Sequence, residues 1–472
     1  MNSKIKATLR KFLSVVLAAL TVFGCAGAAF AAGSDASGTV NGVDWVYTSA
    51  DKTLVLSGSG TLGEDVADFG LFGGSWVAEH VKIGADVNIT TGRVFENFDF
   101  VDEYEVDANN KYLCNPDGVL MDKDKTVLIK YPAGSKEFSF YTVPDTVKTI
   151  SYRAFEFSSA LKTIFLNDGL ETIENFAFDN CGNLLYITIP GTVTSMGKGV
   201  LAQCNLLNKV TIEEGVTAIP EDAFDRCRSL ETVNLPDSLT TIGDIAFFGC
   251  TKLKTLKLPK NLQTFTDSPG RNFGGLNIAL AVDPENQYFS TDDLGVLYNK
   301  DKTLLYYCPN LPYTFDYTVR CNLNEYAFSG CENLRNVDID YNLRAIPKNA
   351  FYNCKNLNTV TLPATLQRID GAAFNASLKT VNYRGTEELW KLITIDSFSN
   401  DAIKSATVVY NYGEPEEPDE ITLSYDQASN TLTIAGSGVL TLNDIKKWNY
   451  TNLNTSVKFG TIMSALAQRR VI

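Results

Sequence analysis

Apolar residues return in one fixed order along the middle of the chain. The order is clearest in VTAIPEDAFDRCRSLETVNLP (216–236) and LTTIGDIAFFGCTKLKTLKLP (239–259). With Phe224 as position zero, Val216 stands at −8, Ile219 at −5, Ala223 at −1, Cys227 at +3, Leu230 at +6, Val233 at +9, Leu235 at +11 and Pro236 at +12. Position zero falls on Phe155, Phe178, Leu201, Phe224 and Phe247, always 23 residues apart, and again on Phe328, Phe351 and Phe374. Within one unit, Leu230, Val233 and Leu235 are expected to point inward while Thr232 and Asn234 face solvent, as the period of two in a strand requires. Val216 and Ile219 suit a shorter strand on the opposite side. Ala223-Phe224 makes a tight turn between them, with the ring filling the interior. Proline at +12 ends the strand where its missing N–H disturbs no ladder.

A fixed period with an L-x-x-V/I-x-L centre is the mark of a leucine-rich-repeat solenoid. The predicted fold is mainly β with short helical turns, about ten coils of 23 residues stacked into a parallel sheet between a β-rich N-terminal cap and an exit cap. One coil buries too little to stand alone, so neighbours supply the core.

The rest of the chain divides around this array. Residues 1–31 read as a secretory signal: Lys4, Lys6, Arg10 and Lys11, then an apolar run, then the A-x-A site at Ala29-Phe30-Ala31. Cys25 offers lipid attachment as a competing reading, but bulky Phe23 suits it poorly. Residues 38–83 form the cap module, with alternating short β-runs. The array spans 84–383 and carries two hairpin inserts, 112–132 and 288–309, which are copies sharing a K-D-K-T turn. Residues 384–412 leave the frame; Trp390, Leu392, Ile395, Val408 and Val409 are expected to cover the last coil. A Pro/Glu linker (413–420) follows. In 421–472, YDQASNTLTIAGSGVL repeats the cap's YTSADKTLVLSGSGTL in register, which reads as a second, truncated cap module.

Formal charge is −14, and −18 once the four positive charges of the signal are removed. An acidic exported chain with no basic tract is a poor partner for nucleic acid. Nothing beyond the signal is long and apolar enough to insert in a membrane.

Chemistry finds little purchase. His80 is the only histidine, and no C-x-x-C, H-E-x-x-H or phosphate loop occurs, so no catalytic residue, metal site or cofactor is expected. Asp124 and Asp301 in the K-D-K-T turns fall short of a calcium loop. Cys181, Cys204, Cys227, Cys250, Cys331 and Cys354 all occupy +3 and read as a ladder of buried thiols. Cys308 and Cys321, flanking the second insert, are the pair better placed to bridge if any disulfide forms. The sheet face, at +8 and +10, offers the candidate binding residues Phe165, Tyr186, Lys209, Asn234 and Lys257. Strand propensity alone would also explain its many threonines. The two inserts compete as binding elements, being loops on a rigid frame.

The A-F-x-x-C-x-x-L-x-x-V-x-L-P frame, the G-V-L hairpin and the G-T-x-E-x-W exit segment together resemble the BspA-like bacterial leucine-rich-repeat proteins, over about residues 40–412. The resemblance implies a secreted or cell-surface interaction module, adhesin-like in some members, with a protein or cell-surface ligand it does not identify. A non-adhesive structural or display role in the envelope is the alternative. A third is an accessory to a carbohydrate-processing enzyme.

Overall fold

The structure, a computed structural model, describes residues 35–67, 78–96, 98, 100–136, 139–374 and 378–413, together with the strands Thr422–Asp426 and Thr431–Ala435. It is a mainly β solenoid of about fifteen turns rather than about ten. The additional turns lie in the cap, around the two hairpins and in the exit segment, where the frame is degenerate. In the coil centred on Phe224, Thr232–Asn234 is the front strand and Ala218–Ile219 the short back strand. Both pair in parallel with the equivalent residues 23 positions away: Val210 with Val233 in front, Ile219 with Ile242 behind.

The turn between the two strands has a constant backbone. Positions −2 and +2 take positive φ in coil after coil, as in Asp222 (57°) and Arg226 (56°), or Asn349 (56°) and Asn353 (58°). The N–H at zero then reaches the −1 carbonyl of the next coil, for example Phe224 to Ala246 at 2.9 Å. Successive rings are thereby stacked, with centroids 5.1 Å apart for Phe155 and Phe178 and 5.0 Å for Phe351 and Phe374. Cysteine at +3 faces the carbonyl at zero of the preceding coil: Cys181 to Phe155, Cys204 to Phe178, Cys250 to Phe224 and Cys354 to Phe328, at 3.0–3.2 Å. All nine cysteines of the described residues are free, so the Cys308–Cys321 bridge does not form; each of the two thiols is buried on its own.

The hairpins are not insertions between coils. In the first, Leu120–Asp122 pairs antiparallel with Val127–Lys130, and the latter strand is itself a back strand, Leu128 lying beside Ile150. In the second, Leu297–Asn299 pairs with Leu304–Tyr307, which runs beside Asn322–Leu323. In LLYY buried and half-buried residues alternate, as suits a back strand, whereas in VLIK Leu128, Ile129 and Lys130 are all buried, Leu128 in one core cluster and Ile129 in the next. Each hairpin is opened by a buried asparagine with the same four bonds. Asn110 donates to Gly84 and Val87 carbonyls and accepts from Tyr112 and Leu113 N–H. Asn286 does so with Pro259, Leu262, Tyr288 and Phe289.

Two prolines interrupt the back sheet. Gly197 N–H bonds the Ile173 carbonyl and Gly243 N–H bonds that of Ile219, but the position between them is Pro220, which has no proton to offer Met196. Pro347 breaks the series after Leu323 in the same way. At the N-terminus the strand Thr53–Leu62 bridges both sheets, its first half pairing with His80–Ile83 and its second with Asp86–Ile89. The apolar interior falls into three clusters, running from Val43 to Ile129, from Val119 to Tyr307 and from Val296 to Ile403, which meet at the hairpins. At the exit, Trp390, Ile395 and Val408 pack on the last coil, whereas Leu392 and Val409 stay exposed.

Candidate functional site

Two rows of outward side chains run across the front sheet, set by the parallel register. One row is Phe140, Thr163, Tyr186, Lys209 and Thr232; the other contains Thr142, Phe165, Thr188, Thr211 and Asn234. Phe140, Phe165 and Tyr186 are 59%, 51% and 50% exposed, on three neighbouring strands. Contiguous aromatic exposure of this kind is uncommon on a surface with no partner. Thr163, expected to face solvent, is instead buried, with a large ring on either side of it in its row. Thr361, in the later coils, is buried as well.

Beside Tyr186 a shallow depression of about 510 Å3 is lined by Leu185, Thr188, Asn208, Lys209 and Thr211. Lys209 has no acidic partner within ion-pair distance among the described residues. Elsewhere the lysines are commonly tied to acids of the adjacent coil, as in Lys148–Glu171 (3.2 Å), Lys198–Glu221 (2.6 Å) and Lys260–Asp237 (3.3 Å). The structure thus brings Phe165, Tyr186 and Lys209 together. Asn234 lies along the second row and is engaged with the Thr211 hydroxyl at 3.4 Å. Lys257 stands apart. Its ammonium bonds Asp283 at 2.9 Å, which holds the lysine's pKa above and the carboxyl's below their usual ranges.

Sequence reasoning missed Phe140, whose coil lacks phenylalanine at zero; aligning FSFYTVP with LKTIFLN would have placed it. Further along, the face is occupied by its own polar groups. Arg335 grips Asp316 through two nitrogens at 3.0 and 3.2 Å, and Asn336 adds a bond to the same carboxylate. Arg384 spans to Asp338 at 2.8 Å. The open part of the front sheet is therefore its first half.

No group of three or more His, Cys, Asp or Glu able to hold a metal occurs among the described residues. His80 begins a strand of the cap, paired with Glu103. No helix of the described residues is long and apolar enough to cross a membrane.

A sequence profile of the BspA type leucine rich repeat region matches residues 133–254, 217–269 and 302–413, together more than half of the chain. The chain belongs to that family. No match is found among curated proteins. Among solved structures, this BspA-type chain is similar to a leucine rich cell surface protein of Faecalibacterium prausnitzii, at 19% identity and TM-score 0.46, over 77% of this chain and 98% of that one. The pneumococcal vaccine antigen PcpA matches at 19% identity and TM-score 0.42, over 81% and 89%. A leucine-rich repeat protein of Eubacterium ventriosum matches at 20% identity and TM-score 0.35, over 55% and 98%.

Proposed function

We propose that the chain is an exported surface recognition module, adhesin-like, holding a protein or cell-surface ligand on the first half of its front sheet. The observation that carries the reading is the side-by-side exposure of Phe140, Phe165 and Tyr186 next to Lys209, which has no acidic partner among the described residues. Aromatic rings supply contact area at low entropic cost, and a free ammonium supplies a charge-assisted contact. Export rests on the signal in residues 1–31, which lie outside the described residues. The two tail strands support a second cap module in 421–472: Tyr425 opposes Leu432 as Tyr47 opposes Leu54 in the first cap.

The test is retention of the purified array on immobilised matrix proteins, cells and glycans, followed by replacement of Phe140, Phe165 and Tyr186 by alanine. Binding at least tenfold weaker with an unchanged melt is expected. Unchanged binding would move the site off the front sheet. Retention by nothing in the screen would favour the display role instead.

A further inference from the structure

The back sheet has a rim that the array leaves open. In regular coils the carbonyl preceding the back strand accepts two N–H groups from the next coil. Lys148 takes Glu171 and Thr172, Thr217 takes Thr240 and Thr241, and Thr240 takes Gln263 and Thr264. The series lapses at Thr194, in the coil before Pro220, resumes at Thr217 and ends at Gln263. By the parallel register its carbonyl points onward, away from Thr240, and accepts nothing among the described residues. The chain departs here into the short helix Pro269–Phe273 and then the second hairpin. The hairpin's first strand meets this rim through side chains, Phe289 lying edge-on to Phe265 at 5.5 Å, with no backbone pairing.

A cleft of about 610 Å3 opens at that place, within the range of ligand sites. Its lining mixes apolar Phe265, Phe289, Leu304 and Tyr306 with polar Thr264, Ser268 and Asn324, and the charged groups lining it are the acids Asp267 and Glu325. Asp267 is committed to Arg271 at 2.5 Å. Glu325 is exposed and has no cation within ion-pair distance among the described residues.

We propose that this cleft takes an extended, basic and apolar polypeptide segment of a partner protein, added to Thr264–Phe265 as a further strand. A strand edge without a neighbouring strand is a template for another chain, because its backbone groups are already aligned; here the incoming strand takes the Gln263 carbonyl and displaces the Thr264 hydroxyl from that of Phe265, which it bonds at 3.0 Å. Alternate side chains of the incoming strand point to opposite faces, so one set enters the aromatic walls. A basic residue answers Glu325. The site lies on the sheet opposite the aromatic rows and is independent of them.

The probe is a labelled, end-capped Val-Lys-Val-Lys-Val peptide titrated into the full chain by fluorescence anisotropy. Its Val-Glu-Val-Glu-Val counterpart should bind at least fivefold more weakly. Glu325→Lys should weaken the lysine peptide at least fivefold without altering the melt, since the side chain is exposed. Methylating the two central amide nitrogens of the peptide should abolish binding, because the added strand needs those donors. No binding at millimolar peptide overturns the proposal, as does equal binding of the methylated form or indifference to Glu325→Lys. Loss of binding in a Phe165→Ala, Tyr186→Ala variant would assign the peptide to the front sheet and also overturn it.

Discussion

The thiol of Cys227 donates to the carbonyl of Leu201, 3.1 Å away in the preceding coil. This weak bond repeats along the array and gives the +3 cysteine a purpose other than cross-linking: it supplies a donor to a buried carbonyl that in most coils also takes a backbone N–H, as Phe224 does from Cys227 at 3.1 Å. Burial raises the thiol pKa of Cys204, Cys250, Cys331 and Cys354, holding them in the unreactive protonated form. Thiol counting should therefore find almost no reactivity in the native chain and at least six free sulfhydryls after unfolding, those at +3. Only one free thiol after unfolding would mean a disulfide-stapled array.

Phe224 is buried and its ring lies 5.3 Å from that of Phe247. Phe224→Ala should cost ~3–5 kcal/mol, the range for an aromatic removed from a packed core. Thr232→Ala in the same coil should cost under ~1 kcal/mol, because Thr232 is exposed. Denaturant melts of the two variants decide it, and similar losses would contradict the inward and outward assignment.

The regular coils were legible because one spacing fixed everything: the inward Leu230 and Val233, the ring at Phe224 and the cysteine at +3 all follow from a single frame. The hairpins were harder. Their last strands, Val127–Lys130 and Leu304–Tyr307, run as back strands without the repeat's frame, so they read as insertions. Nor does sequence show which face residues spend their charge at home. Lys209 at +8 and Lys257 at +10 both read as outward lysines, yet only Lys257 has an acid brought beside it among the described residues, by the irregular coil that carries Asp283.

Asn286 offers a test of the hairpin architecture. Its amide satisfies four backbone groups, two of them carbonyls of the previous coil. Asn286→Ala removes all four bonds, leaving the Pro259 carbonyl only the Leu262 N–H, and should destabilise by about 2–4 kcal/mol. Hydrogen exchange should locate the loss around 288–309 rather than in the first half of the array, and Asn110→Ala should produce the matching loss around 112–132.

Stability should also fall as pH rises through the weakly acidic range. Burial pushes the carboxyl of Glu156 up to about 7, against the pull of Lys130 and Arg153 and with help from nearby Asp179. Asp179 is itself pushed up to about 6 by burial. Both bind protons more tightly folded than unfolded, so the folded state is favoured below the unfolded carboxylate range, near 4–4.5. That advantage is lost as pH rises to about 7, on the order of 1–3 kcal/mol for the pair. Glu156→Gln should flatten the slope of chemical stability between pH 4.5 and 7; an unchanged slope would show that other groups set it.

The three buried clusters that meet at the hairpins have a mechanical consequence. A solenoid with one continuous core would unravel from any breach, each coil exposing the next. Here the hairpins divide the interior as bulkheads would, so a coil torn loose under load should flood its own compartment while those on either side hold. For a molecule proposed to stand between a cell and whatever it grips, extension under shear would come in steps, each the length of one section, with the unbroken sections still bearing the tether.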